Sequence, residues 1–369
     1  MNAPTFSIIL PCYNCTPYLK DCLDSIFANE LADDELILVN DGSTDEFLPF
    51  CEQYFGISVS DEPFFSYLGC RVQIITQQNQ GVSASRNLGM ELALKSYCLF
   101  VDPDDTVSKN WLSSLRTICT TRSDLILFGY EEFTGLDNSS RIVLPLKNYT
   151  LTSTKDCILT LLPKYIGRSL EAVQNWGKTG NFSPPMEYHS VWRMAYRREF
   201  LLTHHLTFPT DVILNEDGIF NSDCICHARK ICTLMQPLYH YHIRQSGTSH
   251  TLFYGEKLVK NKCALLKERL RILEHLKQNY PFVSYDLITG ATILSIFEMY
   301  LLAPKQYRVF RTDYLKVPAV LKMIQNMPYI RKASFDLPLF LLKHRCYLIL
   351  HVLFYPFSIL RCVLSKKYR

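Results

Sequence analysis

The chain has 369 residues, 48% of them apolar and 20% charged, with a formal net charge of +4. This composition excludes a disordered chain, and the length is large for one domain, so a sizeable core and more than one structural region are expected. Fourteen cysteines without a regular framework exclude a disulfide scaffold and fit reduced thiols in a cytosol.

Ser7-Ile8-Ile9-Leu10-Pro11 is a short apolar run that reads as a strand, followed by Cys12-Tyr13-Asn14. Thr16 suits an N-cap and Pro17 a first helical turn, with Leu19, Leu23, Ile26 and Phe27 at helical spacing behind them. A second strand over residues 35–40 ends at Asp41-Gly42-Ser43. A third, over 72–76, leads into Gln80-Gly81-Val82-Ser83-Ala84-Ser85-Arg86-Asn87 and a helix through Leu94. A fourth covers 97–101, and 124–128 reads as a fifth. Strands alternating with helices of this length predict an α/β fold, a mostly parallel sheet with crossover helices. Asp41 and Asp102 then both fall where a strand ends.

Asp102-Pro103-Asp104-Asp105 sets three carboxylates in four residues at such an end. Like charges repel, and folding alone gives no reason to gather them there. A divalent cation does, since it neutralises the cluster and takes hard oxygen ligands. Ligands of open α/β sheets sit at this edge, and a metal there can also bind a diphosphate, so the cluster suggests a nucleotide-diphosphate site. The plain alternative is an Asp-rich loop capping a helix near 108–119. The chain has no P-loop, and no GxGxxG follows the first strand, which argues against a kinase or a dehydrogenase.

Four motifs in order resemble those of family 2 glycosyltransferases with the GT-A fold: residues 7–14, Asn40-Asp41-Gly42-Ser43-Thr44-Asp45, Gly81-Val82-Ser83-Ala84-Ser85-Arg86-Asn87, and Asp102-Pro103-Asp104-Asp105. The match is dense over roughly residues 5–135 and thin to about 250. The resemblance implies a donor site in which Pro11 and Tyr13 meet the nucleotide, Tyr13 stacking on the base and Asp41 accepting its imide hydrogen. Asp102 would hold ribose hydroxyls, Asp104 would ligate Mn²⁺ or Mg²⁺ in a DXD-like motif, and Asp105 would orient the site. Arg86 would meet phosphate or sugar oxygens through charge-assisted bonds. Plain readings stand beside these: a packed loop aromatic for Tyr13 and a surface ion pair for Arg86.

In the second half, Asn215-Glu216-Asp217-Gly218-Ile219-Phe220 matches the family's Glu-Asp pair before a Phe, which implies Asp217 as the acceptor's base with Glu216 on the acceptor side. Adjacent helical residues do not face one another, so the two acids can have different duties. An acid pair at a helix start is also explained by the macrodipole alone. Trp192, within a Trp-x-x-x-Tyr segment, would form an apolar sugar platform or pack in the core. Tyr239-His240-Tyr241-His242-Ile243-Arg244-Gln245-Ser246-Gly247-Thr248-Ser249 resembles a segment that closes over the diphosphate, which makes Arg244 a phosphate contact. His240 and His242, two apart, share one strand face, and His242 is a candidate extra metal ligand or a structural residue.

Charge is uneven. Residues 304–369 hold 13 Lys or Arg and two acids, a net of +11. Residues 346–360 form an apolar run too short to span a bilayer but suited to lying on an anionic membrane surface. A docked helical subdomain is the alternative, and the apolar content argues against nucleic acid. Helices are expected over 252–280 and 285–302. The expected division is a GT-A nucleotide-sugar-binding catalytic domain over 1–230, a helical extension completing the site over 231–303, and a basic, apolar membrane-associating tail over 304–369. With no leader before the first strand, the expected location is cytoplasmic, peripheral on the inner face of the cell membrane. The expected function is an inverting hexosyl- or N-acetylhexosaminyl-transferase that moves sugar from a UDP-linked donor to a glycan hydroxyl. The glycan would be lipid-linked, in surface polysaccharide synthesis. A polyprenyl-phosphate sugar synthase and an inactive sugar-nucleotide-binding scaffold are the two other readings.

Overall fold

A computed structural model describes residues 3–31, 33–58, 64–134, 139–179, 189–244 and 255–354. The strands are Phe6–Cys12 (β1), Glu35–Asn40 (β2), Phe65–Tyr67 (β3), Cys70–Thr76 (β4), Tyr97–Phe100 (β5), Thr106–Val107 (β6), Leu125–Thr134 (β7), Ser139–Val143 (β8), Thr150–Leu151 (β9), Met194–Arg197 (β10) and Ile231–Ile243 (β11). The helices are Thr16–Phe27 (α1), Phe47–Phe55 (α2), Val82–Leu92 (α3), Trp111–Cys119 (α4), Thr154–Thr160 (α5), Leu162–Tyr165 (α6), Leu170–Thr179 (α7), Arg198–Thr203 (α8), Glu216–His227 (α9), Gly255–Asn279 (α10), Asp286–Leu302 (α11), Tyr307–Asp313 (α12), Pro318–Asn326 (α13) and Ala333–Lys343 (α14).

The described residues form two compact units. One comprises 1–158 and 187–248, the other 159–186 and 249–369. The first is built on one sheet in the order β3-β4-β2-β1-β5-β10-β7-β11-β6, with β8 beside β7 and β9 beside β11. β1 pairs in parallel with β2 and β5, and β2 with β4. Every residue of β1 and β2 is buried, as expected for parallel strands covered on both faces. α1 lays Leu19, Cys22, Leu23 and Ile26 into that core. Beyond β5 the sheet is mixed, since β10 runs antiparallel to both β5 and β7.

The register aligns the strand ends. Cys12 faces Asn40, and Asn40 faces Thr76, so β1, β2 and β4 stop at one edge. β5 stops there too, with Val101 N–H donating to the Ile9 carbonyl. At this edge Gly42 has φ +70°, and a Cβ on it would fall 2.9 Å from the backbone nitrogen of Asn79. Only glycine permits that approach of the two loops.

The expected elements differ from these in particular ways. Cys15, not Thr16, is the N-cap of α1, with Pro17 inside the first turn. Ile231–Ile243, expected in a helical extension, is the longest strand and pairs with β7, β6 and β9. The alternation breaks at Leu234-Met235-Gln236-Pro237, and the register shifts between Leu234 and Tyr239 mark the place. Residues 159–179 leave the sheet to join the helical unit, and 304–354 belong to that unit rather than to a separate tail. There α11 is buried nearly all round and packs against α7, α10 and α13.

No single helix among the described residues is long and apolar enough to cross a membrane. α11 and Pro304–Asp313 pass such a test jointly, bent by 107° at their break. The thirteen cysteines among the described residues are free thiols. Gln245–Ser249 and the tail beyond 354, including Arg361, Lys366 and Lys367, lie outside the described residues.

Candidate functional site

The site is assembled where β1, β2, β4 and β5 end. Asn14, with φ 49°, accepts the Thr44 N–H on its side-chain oxygen at 2.8 Å, and its own N–H donates to Ser43 Oγ at 3.1 Å. Thr16 N–H donates to Asp45 Oδ2 at 3.0 Å. These bonds staple the loop after β1 to the loop after β2 and leave the ring of Tyr13 51% exposed between them.

Asp41 was expected to bind a nucleobase. It is buried and accepts three hydrogens from its own chain: from Gln77 Nε2 at 2.7 Å, Gln80 N–H at 2.9 Å and Gly81 N–H at 2.8 Å. Most of its acceptor capacity is thus taken up in ordering the loop that leads into α3. Gln77, which sequence reasoning missed, is its main side-chain partner and carries no motif of its own.

The acid turn has an internal logic. Asp105 N–H donates to the Asp102 carbonyl, closing the turn. The buried Tyr239 hydroxyl accepts from Asp102 N–H at 3.1 Å and donates to Asp105 Oδ2 at 2.9 Å. His242 N–H donates to Asp105 Oδ1 at 2.8 Å. Asp105 is therefore a structural clasp between the turn and β11. Burial, and then the charges of Asp102 and Asp104, hold its carboxyl well above the usual range. Asp104 is the most exposed acid of the turn, and burial with the Asp102 charge raises its pKa as well. Arg244 Nη2 donates to the Asp104 carbonyl at 2.6 Å, and its guanidinium lies 3.9 Å over the Tyr18 ring.

Alternation along β11 separates its aromatics. Tyr239 and Tyr241 face Trp192, whereas His240 and His242 face Thr106 at 3.3 and 3.1 Å. Trp192 is only 4% exposed and stacks on Tyr239 at 4.3 Å and 9°. Its face is covered, so it is a core residue and not a sugar platform. The His242 ring stacks on Phe133, and burial lowers its pKa.

Among the described residues no group of three or more His, Cys, Asp or Glu side chains is arranged to hold a metal. The donor set offers Asp104 and, at most, His242. That fits a divalent cation that keeps waters and arrives with phosphate oxygens rather than one held in a protein cage.

Arg86 is the centre of the arrangement. Buried on α3, it reaches Asp102 Oδ1 at 3.1 Å, Glu216 Oε1 at 3.2 Å and Asp217 Oδ1 at 2.6 Å. The expectation for it is contact with donor phosphate or sugar oxygens; in the structure it makes three charge-assisted bonds to these acids. Burial opposes its charge, yet Asp217, Asp102 and Glu216 outweigh that and hold its pKa above the ordinary value. The ring of Phe208, stacked on Phe220, lies 5.3 Å from it.

Glu216 and Asp217 open α9, where the helix dipole favours acids. Asp217 Oδ2 accepts the Val191 N–H at 3.1 Å, a contact no sequence signal announced. Burial, then repulsion from Asp217, pushes the Glu216 carboxyl up to about 8. The strand-end acid turn and the α9 pair, 115 residues apart in sequence, thus meet on one guanidinium.

Residues 7–157 match the family profile of glycosyl transferase family 2. The chain is 28% identical over 295 residues to the putative glycosyltransferase EpsH of Bacillus subtilis, spanning 77% of this chain and 75% of that one. It is 26% identical to glycosyltransferase GlyA of Streptococcus pneumoniae, over 74% of this chain and 35% of that one. Among solved structures, TarS 1–349 of S. aureus superposes with a TM-score of 0.57 over 95% of this chain and 90% of that one. At 17% identity that likeness speaks for the fold alone. Residues 7–157 therefore carry a glycosyl transferase family 2 domain, and the mixed α/β sheet with its flanking helices has the fold seen in TarS.

Removing the guanidinium would leave three carboxylates partly buried without a counter-charge. Arg86→Met should therefore lose roughly 3–5 kcal/mol of folding free energy, read from urea unfolding of the full chain, with Arg86→Lys losing less. An unchanged unfolding midpoint in Arg86→Met would mean that the three acids do not depend on it.

Proposed function

We propose that the chain is an inverting transferase that moves a hexosyl or N-acetylhexosaminyl group from a UDP-linked donor to a hydroxyl of a glycan acceptor, lipid-linked, in surface polysaccharide synthesis. The observation that carries this reading is the Arg86 junction, which joins the acid turn to the Glu216–Asp217 pair. A donor diphosphate at the turn would then lie beside a carboxylate able to take the acceptor's proton. The UDP assignment is an analogy with TarS, a protein of like fold solved with UDP and with UDP-GlcNAc.

On this reading the exposed Tyr13 ring, beside Pro11, offers a stacking face to the base, and Asp102 is the carboxylate nearest the ribose. Asp104 would hold Mn²⁺ or Mg²⁺, which when bound supplies Lewis-acid stabilisation of the departing diphosphate. Arg244, anchored on Asp104 and Tyr18, keeps N–H groups for phosphate oxygens. Asp217 is aimed by two bonds, from Arg86 and from Val191 N–H, and each carboxylate oxygen retains a lone pair. It accepts the proton of the acceptor hydroxyl as that oxygen attacks the anomeric carbon. The bond from that carbon to the diphosphate breaks, and its electron pair leaves with the nucleotide. Displacement from the opposite face inverts the configuration and needs no enzyme nucleophile. Burial and the neighbouring Asp217 shift Glu216 towards its protonated form, which limits the negative charge around Asp217.

Asp217→Asn keeps the shape and loses the base. Transfer should fall ~10²–10⁴-fold while UDP-sugar affinity stays near wild type. Turnover within a few-fold of wild type would assign the base elsewhere, or favour a phosphate acceptor that needs none, as in a polyprenyl-phosphate sugar synthase. Absence of any donor hydrolysis or transfer by the wild type with metal would favour the scaffold reading.

Asp104→Ala should abolish the Mn²⁺-dependent part of donor binding without unfolding the chain, because the side chain is half-exposed on a turn. Calorimetry with and without EDTA reads this directly, and equal donor affinity in both conditions for wild type and variant would remove the metal from the reading.

A peripheral place on the inner membrane face is supported by the last described helical segment, residues 347–354. One side packs inward through Leu350 and through Phe354, which stacks on Phe297 and Tyr300. The other exposes Leu348, Ile349 and Val352, each more than half accessible. With Lys343 and Arg345 nearby in sequence, this face suits an anionic bilayer, each basic residue contributing ~1 kcal/mol. Cutting the chain at Asp336 would break α14, whose Phe335, Leu339 and Leu342 are buried, so surface substitutions give the cleaner test. Leu348→Ser with Ile349→Ser and Val352→Ser should release the protein from anionic liposomes in flotation at low salt and leave donor binding intact. Equal flotation of variant and wild type would exclude this face.

A further inference from the structure

The helical unit contains a charge that nothing in the transferase reading uses. Arg269, on α10, is 8% exposed. Among the described residues no hydrogen bond or ion pair reaches its side chain, and its Nε is fully enclosed without an acceptor. Buried arginines are ordinarily paired with a carboxylate, because an isolated buried charge is costly. Among the described residues the titratable group that acts on it is the neutral phenol of Tyr314, and burial lowers the arginine's pKa.

The surroundings are built to this shape. Gly167, at φ +154°, lays the loop between α6 and α7 against the guanidinium, where a Cβ would come within 3.4 Å of both Cζ and Nε and 3.2 Å of the Ala291 methyl. Beside Tyr314, α11 buries the hydroxyls of Thr292 and Ser295; Ser295 Oγ donates to the Ala291 carbonyl at 2.8 Å, and Thr292 Oγ1 is enclosed without a partner. The Ala291 N–H is already taken by the Arg168 carbonyl, so the loop is fixed in place. The whole unit is strongly basic. Its 23 Lys or Arg exceed its 8 Asp or Glu by 15, while the sheet unit carries a net −11. Such a field draws anions.

We infer that Arg269 is the centre of an anion site in the helical unit that takes a phosphate-ester group. The planar fork of a guanidinium matches two phosphate oxygens at once. The phosphate has two possible sources, a lipid-phosphate acceptor or a soluble phosphate ester. Only the first rests on the transferase reading; phosphate binding itself does not.

The test uses the full-length protein and two probes, inorganic phosphate and a water-soluble short prenyl phosphate, each against chloride at equal ionic strength. Wild type should gain several degrees of thermal midpoint with phosphate, because the ligand binds the folded state only. Arg269→Met should lose that gain and bind roughly ten- to a hundredfold more weakly by calorimetry. In chloride alone Arg269→Met should melt no lower than wild type, since it removes an uncompensated buried charge. Arg269→Lys, which keeps charge without the fork, should fall between them. Prenyl phosphate binding tighter than inorganic phosphate, with the same sensitivity to Arg269→Met, identifies a lipid-linked source, and equal binding identifies a soluble ester. UDP-sugar affinity should be unchanged in every variant, so loss of transfer activity alone would not bear on this site. Phosphate responses equal in wild type and Arg269→Met, or a clear drop in the variant's midpoint in chloride, would overturn the assignment.

Discussion

A buried guanidinium facing three carboxylates is an unbalanced arrangement, and the catalytic unit is organised around it. Arg86 cannot neutralise Asp102, Glu216 and Asp217 together, so the surplus negative charge is managed in other ways. Glu216 is pushed towards protonation, Asp217 is held by a backbone N–H as well, and Asp102 keeps some exposure. The arrangement requires α3, the end of β5 and the start of α9 to arrive at one point. The parallel register of β1, β2, β4 and β5 supplies two of these, and the antiparallel insertion of β10 beside β5 brings the chain back for the third. Sheet topology and site chemistry are the same constraint seen at two scales.

The N-terminal half was legible because each motif coincides with a local rule. The apolar runs of β1, β2 and β5 admit no amphipathic helix, and an acid cluster at a strand end has no packing rationale. What the sequence could not disclose is which partner each polar group chooses. Asp41 and Arg86 carry the residue types of ligand contacts, yet their bonds go to the protein: three donors from residues 77–81 in one case, three acids in the other. Trp192 was ambiguous for the same reason, since only the fold reveals that Tyr239 covers its face. β11 is legible only at its end, where His240 and His242 share a strand face; before it, Pro237 and the register shift beside it interrupt the period-2 pattern on which strand assignment rests.

The two units differ in electrostatic character as well as architecture. The sheet unit concentrates acids at its strand ends and is net negative, and the helical unit is basic throughout. In the first, charges are resolved by ion pairs in close contact. The second also has ion pairs on its surface, but among the described residues Arg269 takes part in none. The apolar residues of the helical unit are divided between an enclosed core around α11 and the outward face of residues 347–354, so composition alone could not distinguish burial from surface attachment.

The three hydrogen bonds that Asp41 accepts have a consequence for timing. The 77–81 loop cannot leave its position without surrendering all of them, together with the close approach at Gly42. This rim of the site is therefore already in one conformation before any ligand arrives. A ligand that meets it forfeits little chain entropy on binding, so its association rate should be governed by diffusion and charge rather than by a search for the right loop shape.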